Sequence, residues 1–382
     1  METLVFLLTT TFYPPYHVGG DAVSVRLQAE LLASLGHEVH VVFSPAAFRM
    51  KGGRLKELAE EEHGVYLHPI WKKTLDPLWA YLTGRTPNAS SLEQLARELS
   101  PDVVHHHNIS LLGLDVLRLR AERTLYTAHD PWLLCPKSDL LRGGRVCATP
   151  KRCWACTLAH ARPPQLWRLT SALERALQHI HCVVAPSRFY AELLGHLSVP
   201  VVHIPNFSPK LTYHPSPSPH ILYSGVLEPH KGILQLAEQM CSTSTPYTLV
   251  VVGRGSLSRR LSHLANRHEQ VEYFGWVDSS TLEQLRARAS FVVLPSRWYE
   301  NCPMAVIEAY ASGVPVLVSR MGGLPEMVAH GKSGFVMGER LGEVFDAVES
   351  SDISQLKRGA LEMHEERYSP QAFLRQYMQV LM

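Results

Sequence analysis

The sequence predicts an α/β protein made of two doubly wound parallel-sheet domains. The chain has 382 residues, of which 46% are hydrophobic and 19% are charged. This length exceeds what one hydrophobic core usually holds, so two domains are expected. Along the chain, short apolar runs rich in Val and Leu alternate with helical patterns. This alternation occurs twice, with an interruption between the two. Such alternation is typical of parallel sheets covered by helices on both faces.

The first domain is predicted over residues 1–206. It opens with an apolar strand, a loop that contains Gly19 and Gly20, and a helix expected over 21–35, which form a βαβ unit with the next strand. An insertion over 131–165, rich in cysteine and basic residues, interrupts the domain. Its strands are predicted at 4–12, 37–43, 103–107, 124–129, 182–187 and 201–206.

A segment without apolar periodicity separates the two alternations. Residues 207–219 are rich in Pro and Ser, so we expect an interdomain linker there. The second domain is predicted over 220–365, with a helix at 231–240, and a final helix is predicted over 366–382. Its strands are predicted at 220–226, 247–253, 290–296 and 315–319. In open parallel sheets ligands bind beyond the carboxyl ends of the strands, which places a ligand cleft between the two domains.

The composition disfavours several classes of protein. A formal net charge of +2 does not argue for a nucleic-acid partner. No apolar run reaches the roughly 20 residues that a membrane-spanning helix needs. No basic residue precedes the first apolar run and no small-residue cleavage site follows it, so we expect a strand there and not a signal peptide. We therefore expect a cytoplasmic protein whose seven cysteines are reduced thiols or metal ligands.

Two carboxylates bracket the start of a predicted helix in the second domain. Pro303 has a fixed φ and no N–H, which suits a first helical turn, so Glu300 is expected in the preceding loop and Glu308 inside the helix. Between them lie the unpaired N–H groups of Met304 and Ala305 and the positive end of the helix dipole. This combination predicts an anion site suited to phosphate.

The two carboxylates themselves favour hydroxyl partners, because a phosphate would repel them. A carboxylate can accept hydrogen bonds from the two hydroxyls of a diol. The predicted order is therefore a sugar hydroxyl at Glu300, a diphosphate at the helix start and a ribose diol at Glu308. This order describes a nucleotide sugar.

The same segment resembles a known signature. Glu300 and Glu308, with seven residues between them, and the stretch EAYASGVPVLVSRMGGLPEMV resemble the E-x7-E block of the family 4 retaining glycosyltransferases of GT-B fold. Further segments follow the order of that family, namely the Gly19-Gly20 loop, HHHN, TAHD, APSR, IPN, GVLEPHKG and VVGRGS. The resemblance implies two Rossmann-like domains facing across a cleft, with the final helix crossing back to the first domain.

The resemblance also implies an activity. Such an enzyme moves a sugar from a nucleoside diphosphate sugar to an acceptor hydroxyl with retention of configuration, and it needs no cofactor for catalysis. The acceptor it implies is a saccharide or a lipid-linked saccharide of cell-surface polysaccharide synthesis. An alternative is a nucleotide-sugar epimerase of the same fold, which would need no acceptor. A dinucleotide-dependent oxidoreductase is disfavoured because no G-x-G-x-x-G follows the first strand.

The family positions assign roles to particular residues. His129, Lys231 and Glu300 are expected at the reacting sugar, with Lys231 also on the donor phosphates. The residues expected around the donor are Gly19, Gly20, Lys231, Gly253, Trp276, Val277, Asn301, Cys302, Pro303, Met304, Ala305 and Glu308.

One departure from the family pattern concerns the donor phosphates. The family usually has an arginine directly after the strand glycine, whereas here Val226 follows Gly225. His230 and Arg254 are the candidates to replace that cation. Because this arginine is absent, one alternative remains. The chain could be a catalytically degenerate protein that binds a nucleotide sugar or acts as a scaffold.

Histidines at two predicted strand ends are candidate site residues. His129 matches the histidine that lies near the transferred sugar in the family. His105 and His107 share one face of their strand by alternation. Together with Asn108 they are expected either to line the acceptor side or to support residues that do. A two-histidine zinc site is a further option for this pair.

Four of the seven cysteines lie in the insertion. Cys135, Cys147, Cys153 and Cys156 follow the pattern C-x11-C-x5-C-x2-C, which is consistent with a closed tetrathiolate zinc site. Such a zinc would be structural, because four protein ligands leave no open position for chemistry. The alternative is four free thiols packed as small apolar groups.

The insertion also combines basic residues with tryptophans. This combination allows an interpretation as a surface that rests peripherally on an anionic membrane, and a solvated loop is the alternative. The residues concerned are Arg142, Arg145, Lys151, Arg152, Arg162, Arg168, Trp132, Trp154 and Trp167.

Overall fold

A computed structural model describes most of the chain, namely residues 2–70, 73–147, 152–214, 216–338 and 346–382. Its contacts divide the chain into two compact units. The first unit contains the chain up to residue 142 together with 147–204 and 381–382, and the second contains 143–146 and 205–380. Each unit has its own parallel sheet and its own hydrophobic core.

The described part of the first unit contains an eight-stranded sheet. Its strands are β1 (Val5–Thr9), β2 (Glu38–Phe43), β3 (Glu61–Glu62), β4 (Val65–Pro69), β5 (Val103–His106), β6 (Arg123–Thr127), β9 (Cys182–Ala185) and β10 (Val201–His203); the insertion adds the short β7 (Leu141–Arg142) and β8 (Arg145–Val146). The strand order is β10-β9-β6-β5-β1-β2-β4-β3, and only β3 with β4 is antiparallel. Phe6, Leu7 and Leu8 are fully buried because the central strand β1 is covered on both faces.

Helices flank these strands in the order that a βα alternation requires. Ser44 and Ser187 cap two of them, because each hydroxyl accepts a hydrogen bond from the amide three residues later at 3.2 Å. The helices are α1 (Gly20–Ser34), α2 (Pro45–Met50), α3 (Asp76–Thr83), α4 (Ala89–Leu99), α5 (Cys153–Ala159), α6 (Ala172–Leu177) and α7 (Arg188–Leu194), with 3-10 helices at Leu114–Arg118, Pro131–Leu133 and Leu166–Leu169.

The second unit repeats the architecture with a six-stranded, all-parallel sheet in its described residues. Its strands are β11 (Ser218–Ser224), β12 (Thr248–Val252), β13 (Val271–Gly275), β14 (Ala289–Leu294), β15 (Val316–Val318) and β16 (Gly334–Val336). Their order is β13-β12-β11-β14-β15-β16. Ile221, Leu249, Phe291 and Leu317 from four of these strands meet in one buried core.

Six α-helices of this second alternation lie entirely within the described residues. They are α8 (Ile233–Met240), α9 (Ser258–Ala265), α10 (Ser279–Arg288), α11 (Met304–Ala311), α12 (Ile353–Met363) and α13 (Pro370–Leu381), with 3-10 helices at Pro229–Lys231 and Pro325–Met327 and a π-helix at His364–Tyr368. Phe373 of α13 packs on Phe207 with ring centres 4.6 Å apart. The predicted crossing of the final helix to the first domain stays a prediction.

The predicted strands are present, but several end earlier than expected. The first ends at Thr9 and not at residue 12, and the last strand of the first unit ends at His203 and not at 206. Buried apolar residues such as Phe12 and Ile204 continue into the following loops, so hydrophobicity alone does not mark the strand end. The edge strands β13 and β16 and the strand β4 were not predicted, since short or half-exposed strands give a weak periodic signal.

The segment predicted as a linker packs within the second unit. Ser208 N donates to Tyr368 O at 3.0 Å, and Leu211 N donates to Ala311 O at 3.2 Å. Of the predicted linker 207–219, residue 215 lies outside the described residues. Phe207 of this segment is buried as well, and β11 already begins at Ser218.

Candidate donor site and histidine cluster

A polar cluster in the second unit is centred on Glu300, which follows β14 and has a side chain that is 9% exposed. Its Oε1 atom accepts hydrogen bonds from Lys231 Nζ at 2.7 Å, Ser296 Oγ at 2.5 Å and Trp298 Nε1 at 2.8 Å. Lys231 ends the 3-10 helix after β11; the prediction that it opens the next helix is wrong, because α8 begins at Ile233. The pair forms because β11 and β14 are neighbours in the sheet.

Glu300 is held as a carboxylate. Burial alone would raise its pKa, but the Lys231 ammonium and the donors of Ser296 and Trp298 outweigh burial, and the pKa of Glu300 is lowered below 4.5. All three donors bind Oε1, and the described residues supply no partner for Oε2. One oxygen is therefore anchored, and the other can accept a hydrogen bond from a ligand.

The Lys231 ammonium retains donor capacity. It lies 4.5 Å from the centre of the Trp298 ring, a cation–π distance. Among the described residues its one hydrogen-bond acceptor is Glu300, although an ammonium carries three N–H groups. Its side chain is 18% exposed. Two N–H groups of Lys231 are thus available to an anionic ligand.

Glu308, inside α11, has a similar arrangement. Its Oε2 accepts from Nη1 of the buried Arg286 at 2.8 Å, and no described residue binds its Oε1. Burial raises the pKa of Glu308, the Arg286 guanidinium lowers it, and the nearby Glu283 adds to the rise, so the pKa lies above 4.5. Each of the two glutamates therefore has one oxygen on a protein cation and one oxygen without a described partner.

The start of α11 lies between the two glutamates, as predicted. The helix begins at Met304 with Pro303 as its N-cap residue. Because proline has no side-chain acceptor, no side-chain cap satisfies the first amides of the helix, those of Met304 and Ala305. The two preceding residues, Asn301 and Cys302, are buried. The helix start thus retains the features of an anion site.

A glycine that the sequence analysis did not single out positions the backbone of Glu300. Gly322 pairs with Glu300 in an isolated parallel bridge, and Gly323 N donates to Glu300 O at 2.8 Å. Gly322 has a φ of +62°, and a Cβ atom there would lie 2.2 Å from Glu300 O. Only glycine fits this approach. The GG pair was visible in the sequence, but its partner is not.

The other residues predicted around the donor have mixed surroundings. A Cβ atom on Gly253 would lie 1.8 Å from Gly225 O, so backbone packing requires this glycine without any ligand. Trp276 is 64% exposed, and the Arg254 guanidinium lies 5.9 Å from its ring centre. Val277 follows in the same loop and is half-buried. Arg254, a candidate to replace the missing arginine, thus already contacts an aromatic ring.

A cavity of about 730 Å³ lies next to the Glu300 cluster. It is lined by α8 and by the loops after β14 and β15, including Gln235, Arg297 and Arg320. Ser296, whose hydroxyl donates to Glu300, forms part of its wall. Neither glutamate of the E-x7-E block lines this cavity, so it is separate from the predicted donor contacts.

In the first unit, the predicted glycine loop precedes α1. Gly19 is the N-cap residue with extended backbone, so its conformation does not demand glycine, and Gly20 begins the helix. Asn108 Nδ2 donates to Asp21 Oδ2 at 2.9 Å, which joins the loop after β5 to the start of α1. Asn108 Oδ1 accepts from the amide and hydroxyl of Ser110. The side chain of Asn108 is thus engaged within its own unit.

A stack of buried histidines lies behind His129. The rings of His105 and His107 are 4.2 Å apart between centres, and His107 Nδ1 lies 3.0 Å from His129 Nε2. His105 also bonds to Gln28 Nε2 at 3.0 Å and to Thr127 Oγ1 at 2.7 Å. His105 and His107 are each 1% exposed because β5 is a central strand, so they line no open surface of this unit and instead support His129.

The hydrogen bond between the two histidines favours one tautomer. Burial lowers the pKa of His107, and it lowers the pKa of His129 to about 4, so both rings are neutral at pH 7. One proton then lies between them, while the buried Nε2 of His107 has no partner among the described residues. Buried N–H groups without a partner are rarer than unpartnered acceptors, so the proton belongs on Nδ1 of His107. His129 consequently accepts at Nε2 and carries its own proton on Nδ1.

Three residues of the predicted basic, tryptophan-rich surface pack against one another instead. The Arg168 guanidinium lies 4.7 Å from the ring centres of both Trp132 and Trp167, and it donates to Trp132 O at 2.7 Å. Both tryptophans are buried, so this part of the set is internal packing. Lys151 lies outside the described residues, and Trp154 is half-exposed.

Replacing Lys231 by Met tests the ion pair. A carboxylate with a lowered pKa adds stability above its unfolded pKa and loses it as pH falls through the folded pKa. Without the ammonium, burial should raise the pKa of Glu300, and Lys231→Met should lower the unfolding free energy at pH 7 by about 2–4 kcal/mol. Urea unfolding at several pH values should show this difference shrinking towards acid.

A matched control for that variant is Lys332→Met. Lys332 pairs with Glu362 at the same distance of 2.7 Å, but both side chains are more than half exposed. Solvent screens such a pair, so its loss should change stability little. If the two substitutions lowered the unfolding free energy equally at pH 7, the Lys231–Glu300 pair would not be the stabilising contact described here.

Nitrogen NMR on histidine-labelled protein tests the tautomer of His129. The shifts should identify a neutral ring with its proton on Nδ1 at pH 7. His107→Asn keeps an N–H donor close to the Nδ1 position and should preserve that tautomer, whereas His107→Leu removes the donor and should yield a mixture of tautomers. A His129 ring protonated on Nε2 in the unmodified protein would refute the assignment.

Two family models match consecutive parts of the chain. The model described as Glycosyltransferase Family 4 matches residues 18–207, and the model described as Glycosyl transferases group 1 matches residues 208–350. The first match covers the unit with the histidine cluster, and the second covers the loops that carry Lys231 and both glutamates of the E-x7-E block.

Known proteins resemble the chain along most of its length. It is 26% identical over 343 residues to an uncharacterized glycosyltransferase of Methanocaldococcus jannaschii, covering 86% of this chain and 83% of that protein. It is 34% identical over 125 residues to O-antigen chain mannosyltransferase B of Escherichia coli, covering 31% and 32%. HepE of Anabaena, solved in complex with UDP, matches with a TM-score of 0.70 at 16% identity over 99% of both chains. The chain belongs to the family 4, group 1 glycosyltransferases and has their two-domain GT-B fold.

Proposed function

We propose that this glycosyltransferase moves a sugar from a nucleoside diphosphate sugar to a hydroxyl acceptor with retention of configuration. The observation that carries the proposal is the shared geometry of Glu300 and Glu308. In each, a protein cation holds one oxygen and leaves the other without a described partner. Two such oxygens, separated by an uncapped helix start, suit hydroxyls on either side of a diphosphate.

The diphosphate is the part of the donor that needs cations. Lys231 retains two N–H groups beyond its bond to Glu300, and the first amides of α11 add the partial positive charge of a helix start. Positive groups fixed in a partly buried site stabilise charge that develops on a leaving group. Lys231 thereby has two roles: it keeps Glu300 ionised, and it receives the departing phosphate.

The proposed reaction needs no nucleophile from the protein. The bond between the anomeric carbon and the phosphate oxygen breaks, and the acceptor oxygen bonds to that carbon on the same face. The acceptor proton passes to the departing phosphate oxygen. The carboxylates of Glu300 and Glu308 position hydroxyls and do not attack. A role of His129 near the transferred sugar stays an expectation from the family resemblance.

The comparisons support a nucleotide sugar as the donor class. HepE was solved with UDP-glucose, and the Escherichia coli relative is a mannosyltransferase. Val226 is exposed and supplies no charge where the family usually has arginine. Lys231 and the start of α11 are therefore the proposed phosphate contacts. With one cation in place of two, we expect donor binding to be weaker than in an enzyme that has the arginine.

Donor binding and turnover test the proposal directly. A panel of nucleoside diphosphate sugars should include one whose binding is measurable by calorimetry and whose diphosphate is released with an acceptor present. Lys231→Ala should lower kcat by about 100- to 1,000-fold, because it removes a charge on the leaving group. Glu308→Gln should weaken donor binding by about 10- to 100-fold through loss of a charged acceptor.

Glu362→Gln is the matched control, since Glu362 is an exposed glutamate of the same unit that pairs with Lys332. It should change neither donor binding nor turnover. Release of an altered sugar nucleotide without acceptor would assign the epimerase alternative. Binding without turnover of any panel member would assign the scaffold alternative, and no binding at all would refute a nucleotide-sugar site.

For the acceptor, we propose a lipid-linked saccharide presented at a membrane surface. α3 and the 3-10 helix Leu166–Leu169 are packed together, with Trp167 Nε1 donating to Tyr81 O at 3.0 Å. Lys73 and Arg85 flank α3 and are exposed. The exposed apolar side chains of these elements and of α5 are Leu75, Leu78, Trp79, Leu82, Trp154, Leu158, Leu166 and Leu169. Exposed apolar groups beside basic residues suit the interface of an anionic bilayer.

This contact would be peripheral. No helix of the described residues combines the length and apolar character needed to cross a membrane. Tryptophan and leucine side chains that enter the headgroup region bind reversibly, in proportion to the apolar area they bury. A peripheral position would bring a lipid-linked acceptor to the enzyme without a spanning segment.

Vesicle co-sedimentation tests the membrane contact. The protein should sediment with vesicles that contain anionic lipid, and the double substitution Trp79→Ser with Leu166→Ser should reduce the bound fraction several-fold because it removes buried apolar area. Leu35→Ser, at an exposed apolar position after α1, is the control and should bind as the unmodified protein does. Equal binding of all three proteins, or none, would refute a membrane-presented acceptor.

A further inference from the structure

Four cysteine side chains of the first unit line one small cavity. They are Cys135, Cys147, Cys153 and Cys156, and the cavity has a volume of about 20 Å³. They come from three places, namely the turn after the 3-10 helix Pro131–Leu133, the end of β8, and the first turn of α5. The remaining cysteines of the chain, Cys182, Cys241 and Cys302, do not line it.

Sequence spacing explains only part of this arrangement. Cys153 and Cys156 are three positions apart in α5, so they share one face of the helix. Cys135 reaches the same place because its amide donates to Pro131 O at 2.8 Å, which turns the chain. Cys147 is placed by its own amide, which donates to Leu140 O at 2.6 Å. Three separate stretches are thus folded around one centre.

We propose that these four thiols bind a structural zinc ion. Zinc takes four thiolates in a tetrahedron with Zn–S distances of about 2.3 Å. A cavity of this kind must exceed about 10–15 Å³ to hold one water molecule, and the observed 20 Å³ meets that requirement for a single ion and little else. A site of this size with four sulfurs in its wall excludes an organic ligand.

The charges around the cavity match such a site. Four thiolates and one zinc ion carry a net charge of −2, and Lys137 and Arg142 also line the cavity. Lys137 is buried, donates to Leu141 O at 2.7 Å and pairs with Asp139 at 3.3 Å, and the Asp139 carboxylate lies 3.9 Å from Cys135 Sγ. Positive groups near a thiol favour the thiolate, which is the form that binds metal. The uncharged remainder of the wall includes Pro136 and Leu140.

The insertion also needs something to hold its shape. Four non-glycine residues of this segment, Ser138, Leu140, Arg152 and Ala161, have a positive φ between +48° and +60°. Such backbone costs on the order of 1–3 kcal/mol per residue and persists only where surrounding contacts enforce it. A metal that joins three stretches would supply that enforcement, because ligation free energy becomes folding free energy.

The thiols must move a short way to bind the ion. Among the described residues, no three His, Cys, Asp or Glu side chains are arranged as ligands of one metal. Binding therefore turns the four sulfurs inward, towards the cavity they already share. Because all four positions of the tetrahedron are then filled by protein, the zinc shapes the insertion and takes no part in sugar transfer. The proposal is thus independent of the donor chemistry.

Metal analysis of the full-length chain, purified reduced and with zinc in the medium, tests the proposal. We expect about one zinc per chain after gel filtration, and substitution with Co²⁺ should give the spectrum of a tetrahedral tetrathiolate. Cys153→Ser with Cys156→Ser should lower the zinc content at least about tenfold. Cys241→Ser, a cysteine of the second unit, should keep the full content.

A second measurement guards against a variant that fails to fold. In the unmodified protein, a chelator strong enough to remove zinc should make the insertion sensitive to limited proteolysis, and added zinc should restore protection. Zinc-free reduced protein with an equally protected insertion would overturn the proposal. So would protein in which mass spectrometry finds the four cysteines paired as disulfides, or zinc content that survives the double substitution.

Discussion

The polar cluster of the second unit depends on one largely buried ion pair, Lys231 with Glu300. Burial by itself would favour the neutral carboxyl, and the ammonium reverses that preference. The same contact ties the loop after β11 to the loop after β14, and Gly322 adds the loop after β15 through the backbone. Three loops at the end of one sheet are thereby held around a single carboxylate oxygen. What remains for a ligand is the second oxygen and the unused N–H groups of Lys231.

The two glutamates of the E-x7-E block share a residue type but have different environments. Glu300 receives a lysine, a hydroxyl and an indole on one oxygen, and its pKa is lowered. Glu308 receives only Arg286, and burial leaves its pKa raised. Both keep one oxygen without a described partner, so both can accept a hydroxyl. The stronger stabilisation of charge at Glu300 fits its proposed place beside the reacting sugar, because an ionised carboxylate accepts stronger hydrogen bonds than a neutral acid.

In the first unit, too, buried side chains orient a polar side chain that is closer to the surface. His105, in β5, stacks on His107, which directly follows that strand, and His107 sets the tautomer of His129 through a single hydrogen bond. Just after the insertion, Arg168 lies over two tryptophans, while the four cysteines of the insertion line a separate small cavity. His129 and Arg168 each gain a defined orientation from neighbours that are themselves buried.

Much of this was accessible from the sequence, and the reason is local. Apolar runs of strand length predicted both parallel sheets, because a strand buried on both faces must be apolar throughout. Pro303 predicted the start of α11, because proline constrains its own backbone. The spacing of Glu300 and Glu308 around that start predicted an anion site between two carboxylates. These inferences use only residues within about two helical turns of one another.

Only the tertiary structure decided which distant groups meet. The pairing of Lys231 with Glu300 follows from the adjacency of β11 and β14, and periodicity does not encode strand order. Arg286, the partner of Glu308, and Gly322, which abuts Glu300, lie in other elements and carry no local signal. Arg168 was likewise predicted at the surface, but in the folded chain it packs on two buried tryptophans. The chain's local chemistry determined its elements and its candidate ligands, whereas hydrogen-bond partners and burial depend on the folded arrangement of those elements.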